Sequence, residues 1–476
     1  MRNGERSGGR WFGLGERRHA VITVLVCVAG VLVAFDDIAP LRALAGTFGA
    51  SLAWVPLLLC ALLLPQDRDS MWPRALIVLF GTGVIVTAIT FFVLPSESKG
   101  VNLYFKALAV GIPIAVFFAI MVVAGRLAAY RPSLITLFGL VSLGTLVLFG
   151  ALDLLGVIPR NDVWFLHGIE NLNQRARGGR FEASALGAGV LVALATATLR
   201  VRNKAWALGI GVVAGVLAYL MPSRGTLVAG MAFCAAIFGA ILLHWLVPRV
   251  GRWANVAPGG VLVVVTLLGG FGLGALVTAP QWAGMSYSSS DAVRSVWGDA
   301  SMDAALDHPV GMGFSAPLEW LPNYVRASMD QFDDSFSPSD FTELNDQLNA
   351  DGSYGFSPKT MPSLLGVYFG AAGVLALIAI WLAIGRRVAD AWRAGYFMVG
   401  PAALALSVTA ASYFSSIYAW EQAFILGALL GVPHMLRNDG PNLTLPTGRI
   451  PVRHALGKRW LLGPSRAGTR SERVTA

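Results

Sequence analysis

The residues best equipped for chemistry in this chain are few and widely spaced. Asp307 and His308 open the run Asp307-His308-Pro309-Val310-Gly311-Met312-Gly313-Phe314. An imidazole titrates in the range a general base needs, which makes His308 a catalytic candidate. A lone histidine beside an aspartate and ahead of a Pro/Gly turn is more often a structural hydrogen-bonding residue than a base. Arginines form the second group. Arg175, Arg177 and Arg180 stand together around Gly178 and Gly179. Guanidinium forks match phosphate oxygens, and glycine lets backbone N–H groups approach an anion. Arg224, in Pro222-Ser223-Arg224-Gly225-Thr226, is a further phosphate-binding and catalytic candidate, against the plainer reading that it snorkels to an interface. Arg294 and Lys359 complete the candidate diphosphate-binding set. Glu421, in Trp420-Glu421-Gln422, is a carboxylate within an apolar stretch and is suited to pair with an arginine.

Several chemistries have no residues to carry them. There is no Walker-type loop, no HExxH and no Cys/His cluster. Cys27, Cys60 and Cys234 all fall in apolar runs and offer neither metal spacing nor a disulfide framework. The acidic run from Asp330 to Asp351 lacks the regular spacing of a calcium loop and reads as a solvated stretch. No metal and no cofactor is expected.

What must position these residues is an all-α, polytopic membrane framework. The chain is 55% hydrophobic and only 13% charged, and its apolar runs are long enough to cross about 30 Å of hydrocarbon. Twelve spans are read near 19–35, 46–65, 75–94, 102–124, 133–152, 183–199, 205–221, 226–247, 259–280, 363–384, 395–413 and 416–432. Only Arg200, Arg202 and Lys204 separate the sixth from the seventh. Residues 1–18 form a basic cytoplasmic N-terminus, 19–432 the transmembrane domain, and 433–476 a basic cytoplasmic tail whose Arg, Gly, Pro, Ser and Thr content reads as disordered. The first span reads as an uncleaved anchor, since Ala43-Leu44-Ala45 lies well past its end. With the N-terminus inside, 25 of the 36 Lys/Arg fall on the cytoplasmic face, as the positive-inside rule requires. The net charge of +9 thus reflects topology, not nucleic-acid binding.

One polar interruption is out of proportion. Residues Gln281 to Pro362, between the ninth and tenth spans, form an 82-residue extracytoplasmic loop with twelve Asp/Glu and three basic residues, Arg294, Arg326 and Lys359. Long loops of this kind usually carry function. Within it, Val293, Val296, Trp297, Met302, Ala305 and Leu306 recur near helical spacing, which predicts an amphipathic helix on the membrane surface.

Taken in order, these clusters resemble the O-antigen ligase and polysaccharide polymerase superfamily over about residues 130–430. Arg177-Gly178-Gly179-Arg180-Phe181-Glu182, entering a small-residue helix, is similar to the family's Arg-rich, Gly-x-Phe segment. Ser223-Arg224-Gly225 is similar to its Ser-Arg-Gly at the start of a span. Arg294 through Phe314, ending His308-Pro309-Val310-Gly311-Met312-Gly313, resembles its surface helix followed by Pro-x-x-Gly-x-Gly. The chain departs from the ligases in one respect: Lys359-Thr360-Met361-Pro362 stands where they commonly carry a His-Asn pair. That departure favours a polymerase.

The resemblance implies a metal-independent, inverting glycosyl transfer at the outer face of a bacterial inner membrane. The donor would be a glycan on undecaprenyl diphosphate and the acceptor another lipid-linked glycan. A diphosphate leaving group needs fixed cations, the role open to Arg175, Arg177, Arg180, Arg224, Arg294 and Lys359. Independently of the resemblance, side-chain chemistry suits Trp282, Trp297, Trp320, Tyr287 and Tyr324 of the large loop as aromatic platforms for sugars, and its carboxylates as acceptors for their hydroxyls. Membrane lipids, a chain-length regulator and a flippase are candidate partners. The alternatives are an O-antigen ligase acting on a lipid A core or other acceptor, a polysaccharide transporter or flippase with a midplane site, and a non-catalytic assembly component.

Overall fold

The computed structural model describes residues 8–35, 52–65, 72–98, 100–155, 157, 183–220, 224–250, 289–332, 341–349, 361–412 and 420–438. The described residues are mostly helical (84%). The first group of elements is α1 (Gly8–Leu32), α2 (Trp54–Leu63), α3 (Trp72–Thr90), a minimal hairpin of β1 (Glu97–Ser98) with β2 (Val101–Asn102), α4 (Leu103–Tyr130), α5 (Ser133–Leu154), α6 (Ala183–Thr198), α7 (Lys204–Leu220) and α8 (Arg224–Val250). Then come α9 (Ser289–Asp307), α10 (Pro317–Gln331), α11 (Thr342–Asn349), α12 (Met361–Arg393), α13 (Val399–Ser412), α14 (Trp420–Leu430) and α15 (Val432–Asn438).

Four of the described helices are long and apolar enough to cross a membrane: Trp72–Thr90, Leu103–Tyr130, Ser133–Asp153 and Met361–Arg393. Their outward side chains agree. Ile77, Val78, Ile85, Ile89, Phe105 and Leu375 are exposed, an apolar surface that a water-soluble protein rarely tolerates over such lengths. Between helices, small residues let backbones close up, as helices do in lipid. A Cβ on Gly427 of α14 would stand 2.7 Å from Met121 C of α4, and one on Gly139 of α5 would stand 2.7 Å from Ala197 Cα of α6. At one end of the bundle, Arg18 donates to Leu63 O and the Arg131 guanidinium meets His19 Nε2. Arg202, in the break between α6 and α7, covers the ring of Tyr396 with its Cζ 4.0 Å from the centroid.

Three expectations are corrected. The segment read as a loop carries a folded helical cap, α9 to α11. The apolar positions of α9 divide between two sides: Val293, Val296, Trp297 and Ala305 are buried in that cap, while Met302 and Leu306 are exposed. The acidic run is not simply solvated, because Phe341, Leu344 and Leu348 are buried where α11 packs on α9. Finally, the predicted tail begins in helix, since α15 covers residues 432–438. Residues 439–476 and the predicted ninth span, 259–280, lie outside the described residues.

The tenth predicted span contains the feature that organises this end of the molecule. α12 breaks at Gly370, whose φ of 59° and ψ of −144° suit only glycine. The break is sharp. A Cβ on Gly373 would lie 2.8 Å from Leu365 C, although eight residues of straight helix would separate them by about 12 Å. Broken helices expose backbone groups that hydrocarbon cannot satisfy, and here residues 308–314 take them up. Met312 N donates to Val367 O (2.9 Å), Gly313 N to Tyr368 O (3.3 Å), and Ala371 N to Pro309 O (2.8 Å). The run continues to α3, where Phe314 N donates to Thr87 Oγ1 at 2.7 Å.

Phe314 then fills a socket between α3 and α4. Its ring stacks on Phe80 at 5.6 Å and meets Phe369 edge-on at 5.8 Å. Gly83 and Gly111 make room for it: an added Cβ would fall 2.8 Å and 3.0 Å from the ring. The glycines of the clip are equally constrained. Gly311 (φ 85°) has Phe369 Cα 2.7 Å from where its Cβ would be, and a Cβ on Gly370 would meet His308 O at 2.5 Å.

Gly370→Ala should therefore combine forbidden backbone with a clash, each worth about 1–3 kcal/mol. Thermal unfolding of the purified protein should show a marked loss. Gly81→Ala, a helical position with nothing within 4 Å, should be neutral or slightly stabilising, and equal effects at both sites would refute the clip.

Candidate functional site

The C-terminal end of α9 delivers His308 directly onto the clip. His308 N still closes the last helical turn on Ala304 O (3.0 Å), and its carbonyl accepts from Gly311 N at 2.7 Å. The peptide is thus held on both sides before the side chain is considered. α10 runs back beside α9. It starts at Pro317, where proline's fixed φ suits the first turn, and it turns Trp320 and Tyr324 towards His308 at four-residue spacing. The imidazole stacks on Trp320, with centroids 5.0 Å apart and planes within 9°. Further along the same helix pair, Ser328 donates to Asp299 Oδ2 (2.8 Å), and Ser98 of β1 donates to Glu319 at the start of α10.

Hydrogen bonding assigns the histidine tautomer. Tyr324 Oη donates to Asp307 Oδ2 at 3.0 Å, because a carboxylate can only accept. With that hydrogen committed, the phenol oxygen can only accept from His308 Nε2, 3.3 Å away. Nε2 therefore carries a proton, and Nδ1 has no hydrogen-bond partner among the described residues. His308 is half-buried and Asp307 exposed. The same arrangement raises the Tyr324 phenol to about 12, chiefly through burial, then through its hydrogen bond to Asp307 and the negative charges of Asp307 and Asp303.

The other candidates are placed as follows. Arg294 lies on α9, fourteen residues before His308, about 20 Å along the helix axis. Arg224 opens α8, which packs on α6, α7 and α13. Glu421 is buried at 2% exposure in the first turn of α14, the helix end where a carboxylate complements the dipole. Arg175, Arg177, Arg180 and Lys359 lie outside the described residues. Among the described residues no group of three or more His, Cys, Asp or Glu is placed to hold a metal.

Two contributions escape sequence reasoning. Thr87 and Thr90, which meet Phe314 N and Ser315 Oγ, lie more than two hundred residues from the clip and look like ordinary polar residues of a span. Lys106, half-buried one turn inside α4, has no salt bridge among the described residues; a cation near a helix N-terminus was the only signal. No protein-family model matches this chain, and no curated protein matches it.

The raised phenol pKa has a checkable sign. An unfolded tyrosine ionises near 10, while in the folded chain Tyr324 holds its proton to about 12. Between these values the folded state binds the extra proton, so its stability falls as pH rises. Wild-type protein should lose more thermal stability from pH 9 to pH 11 than Tyr324→Phe does. Identical losses would mean that Tyr324 is not held as described.

Proposed function

We propose that this chain is an inner-membrane glycosyltransferase that joins lipid-linked oligosaccharide units at the outer face of the membrane. In this reading the acceptor hydroxyl loses its proton to His308 Nδ1. The freed oxygen attacks the anomeric carbon of the donor sugar with inversion. The bond to the diphosphate oxygen breaks, and polyprenyl diphosphate leaves with the electron pair. Asp307 supports the imidazolium as it forms, and Trp320 and Tyr324 keep the ring fixed. Arg224, with Arg175, Arg177, Arg180 and Lys359, would neutralise the leaving diphosphate.

The observation that carries the reading is a half-buried histidine held by hydrogen bond, stack and backbone, where a polar cap meets apolar helices. A lipid-linked sugar needs that combination, since its two ends prefer different solvents. Contacts at the ends of the first four predicted spans support their alternating direction: His19, Leu63 and Arg131 share one end, while Thr90 and Ser98 reach the cap. Extension of lipid-linked glycan is preferred to ligation because no histidine stands near Lys359.

Purified protein supplied with a polyprenyl-diphosphate oligosaccharide as donor and acceptor should release polyprenyl diphosphate and lengthen the glycan. His308→Ala should slow turnover by about 10²–10⁴-fold, the usual share of a general base. Arg224→Ala should cost on the order of a hundredfold, with partial rescue by Arg224→Lys, which keeps the charge but not the fork. Full turnover by His308→Ala would remove it from the mechanism. Topology is tested separately: reporters at Ser337 and at the C-terminus should read opposite compartments, and agreement between them would overturn the twelve-span reading.

A further inference from the structure

The cap does not stop at the membrane surface. α3 marks the level of the hydrocarbon boundary: Ile85 and Ile89 are exposed, and beyond the helix end Phe92 and Val93 are still bare at 92% and 72%, before polar Ser96 and Glu97 begin. Phe314 is bonded at Thr87 and Ser315 meets Thr90, so the clip lies deeper than Phe92. α4 gives the same answer. Its exposed apolar side chains start at Tyr104 and Phe105, whereas the Phe314 ring packs on Gly111, six to seven residues or about 10 Å further in.

The outer side of this segment is apolar. Met302 and Leu306 are exposed one turn apart on α9, and Val310 follows at 60%. They lead onto α12, since Ala371 N bonds to Pro309 O. From Ala371 the exposed face of α12 runs through Leu375, Ala379 and Leu382 to Arg386. Those sixteen residues rise about 22 Å, against about 30 Å of hydrocarbon. The remaining depth lies on the Gly370 side, where Val310 and Leu306 stand.

We propose that residues 302–314 are a re-entrant element whose Met302, Leu306 and Val310 contact lipid acyl chains, holding His308 at the boundary between hydrocarbon and headgroups. This rests on the chain spanning a membrane and not on the transfer reaction. The backbone cost of re-entry is met inside the protein, by the bonds to Val367, Tyr368, Thr87 and Ala371. On the other side of α9, Asp299, Asp303 and Asp307 recur every four residues and stay towards α10, so one helix separates lipid from the polar site.

The test uses the full chain in lipid vesicles with no glycan donor. Nitroxide labels are placed one at a time at Met302→Cys, Leu306→Cys and Val310→Cys, with the native cysteines changed to alanine. Leu375→Cys serves as the lipid reference and Arg326→Cys as the aqueous reference. Collision rates with oxygen, which concentrates in hydrocarbon, and with a water-soluble nickel chelate are compared. The three sites should group with Leu375 and favour oxygen by several-fold over Arg326. Grouping with Arg326, at any two of the three, would overturn the proposal whatever the protein catalyses, and absence of glycan transfer would leave it standing.

Discussion

A backbone amide or carbonyl in hydrocarbon must find a partner within the protein, and each one left without costs several kcal/mol. The break at Gly370 would leave such groups exposed, and the clip from Pro309 to Phe314 supplies what they lack. The exchange is mutual, because an extended run at that depth would itself be unsatisfied without Val367 O and Tyr368 O to accept its N–H groups. Neither half of the arrangement is tolerable alone. Cap and helix are therefore parts of one hydrogen-bonded unit, despite the polar sequence of the first and the apolar sequence of the second.

This unit also explains how a histidine at the end of a helix is held firmly. The carbonyl of His308 accepts from Gly311, and Pro309 is fixed to α12 through Ala371. The side chain needs only two further restraints, the Trp320 face and the Tyr324 phenol. Both come from α10, which is itself buried against the cap through Leu318, Leu321 and Val325. Displacing the clip would move the backbone and the ring together.

Apolar runs were a reliable guide to helices, because hydrocarbon thickness imposes a length that composition reveals. The helices α4 to α8 start and stop within a few residues of the expected segments. The cap was legible only in part. Periodicity located α9, but Val293, Val296 and Trp297 look like Met302 and Leu306 in the sequence, so which of them pack inward was not legible. The Pro-x-x-Gly-x-Gly run was visible as a turn. Its socket was not, since Gly83 and Gly111 are unremarkable glycines in apolar helices and only their approach to Phe314 gives them a role. Of the site, His308 and its neighbours Trp320 and Tyr324 were legible by residue type. The tautomer was not, because it depends on which atom Asp307 occupies.

The Phe314 socket also sets a timetable for biogenesis. Thr87 and Phe314 are separated by 227 residues, and synthesis at about 5–20 residues per second takes roughly 10–45 seconds to cover that gap. During this interval the α3–α4 hairpin is in place with a hole between Gly83 and Gly111 and with Thr87 awaiting its partner. Whatever fills that hole first, lipid chains or neighbouring nascent helices, is expelled when the cap docks. Assembly of this end of the protein is thus a displacement reaction, and the last segment to arrive competes with whatever the bilayer has already supplied.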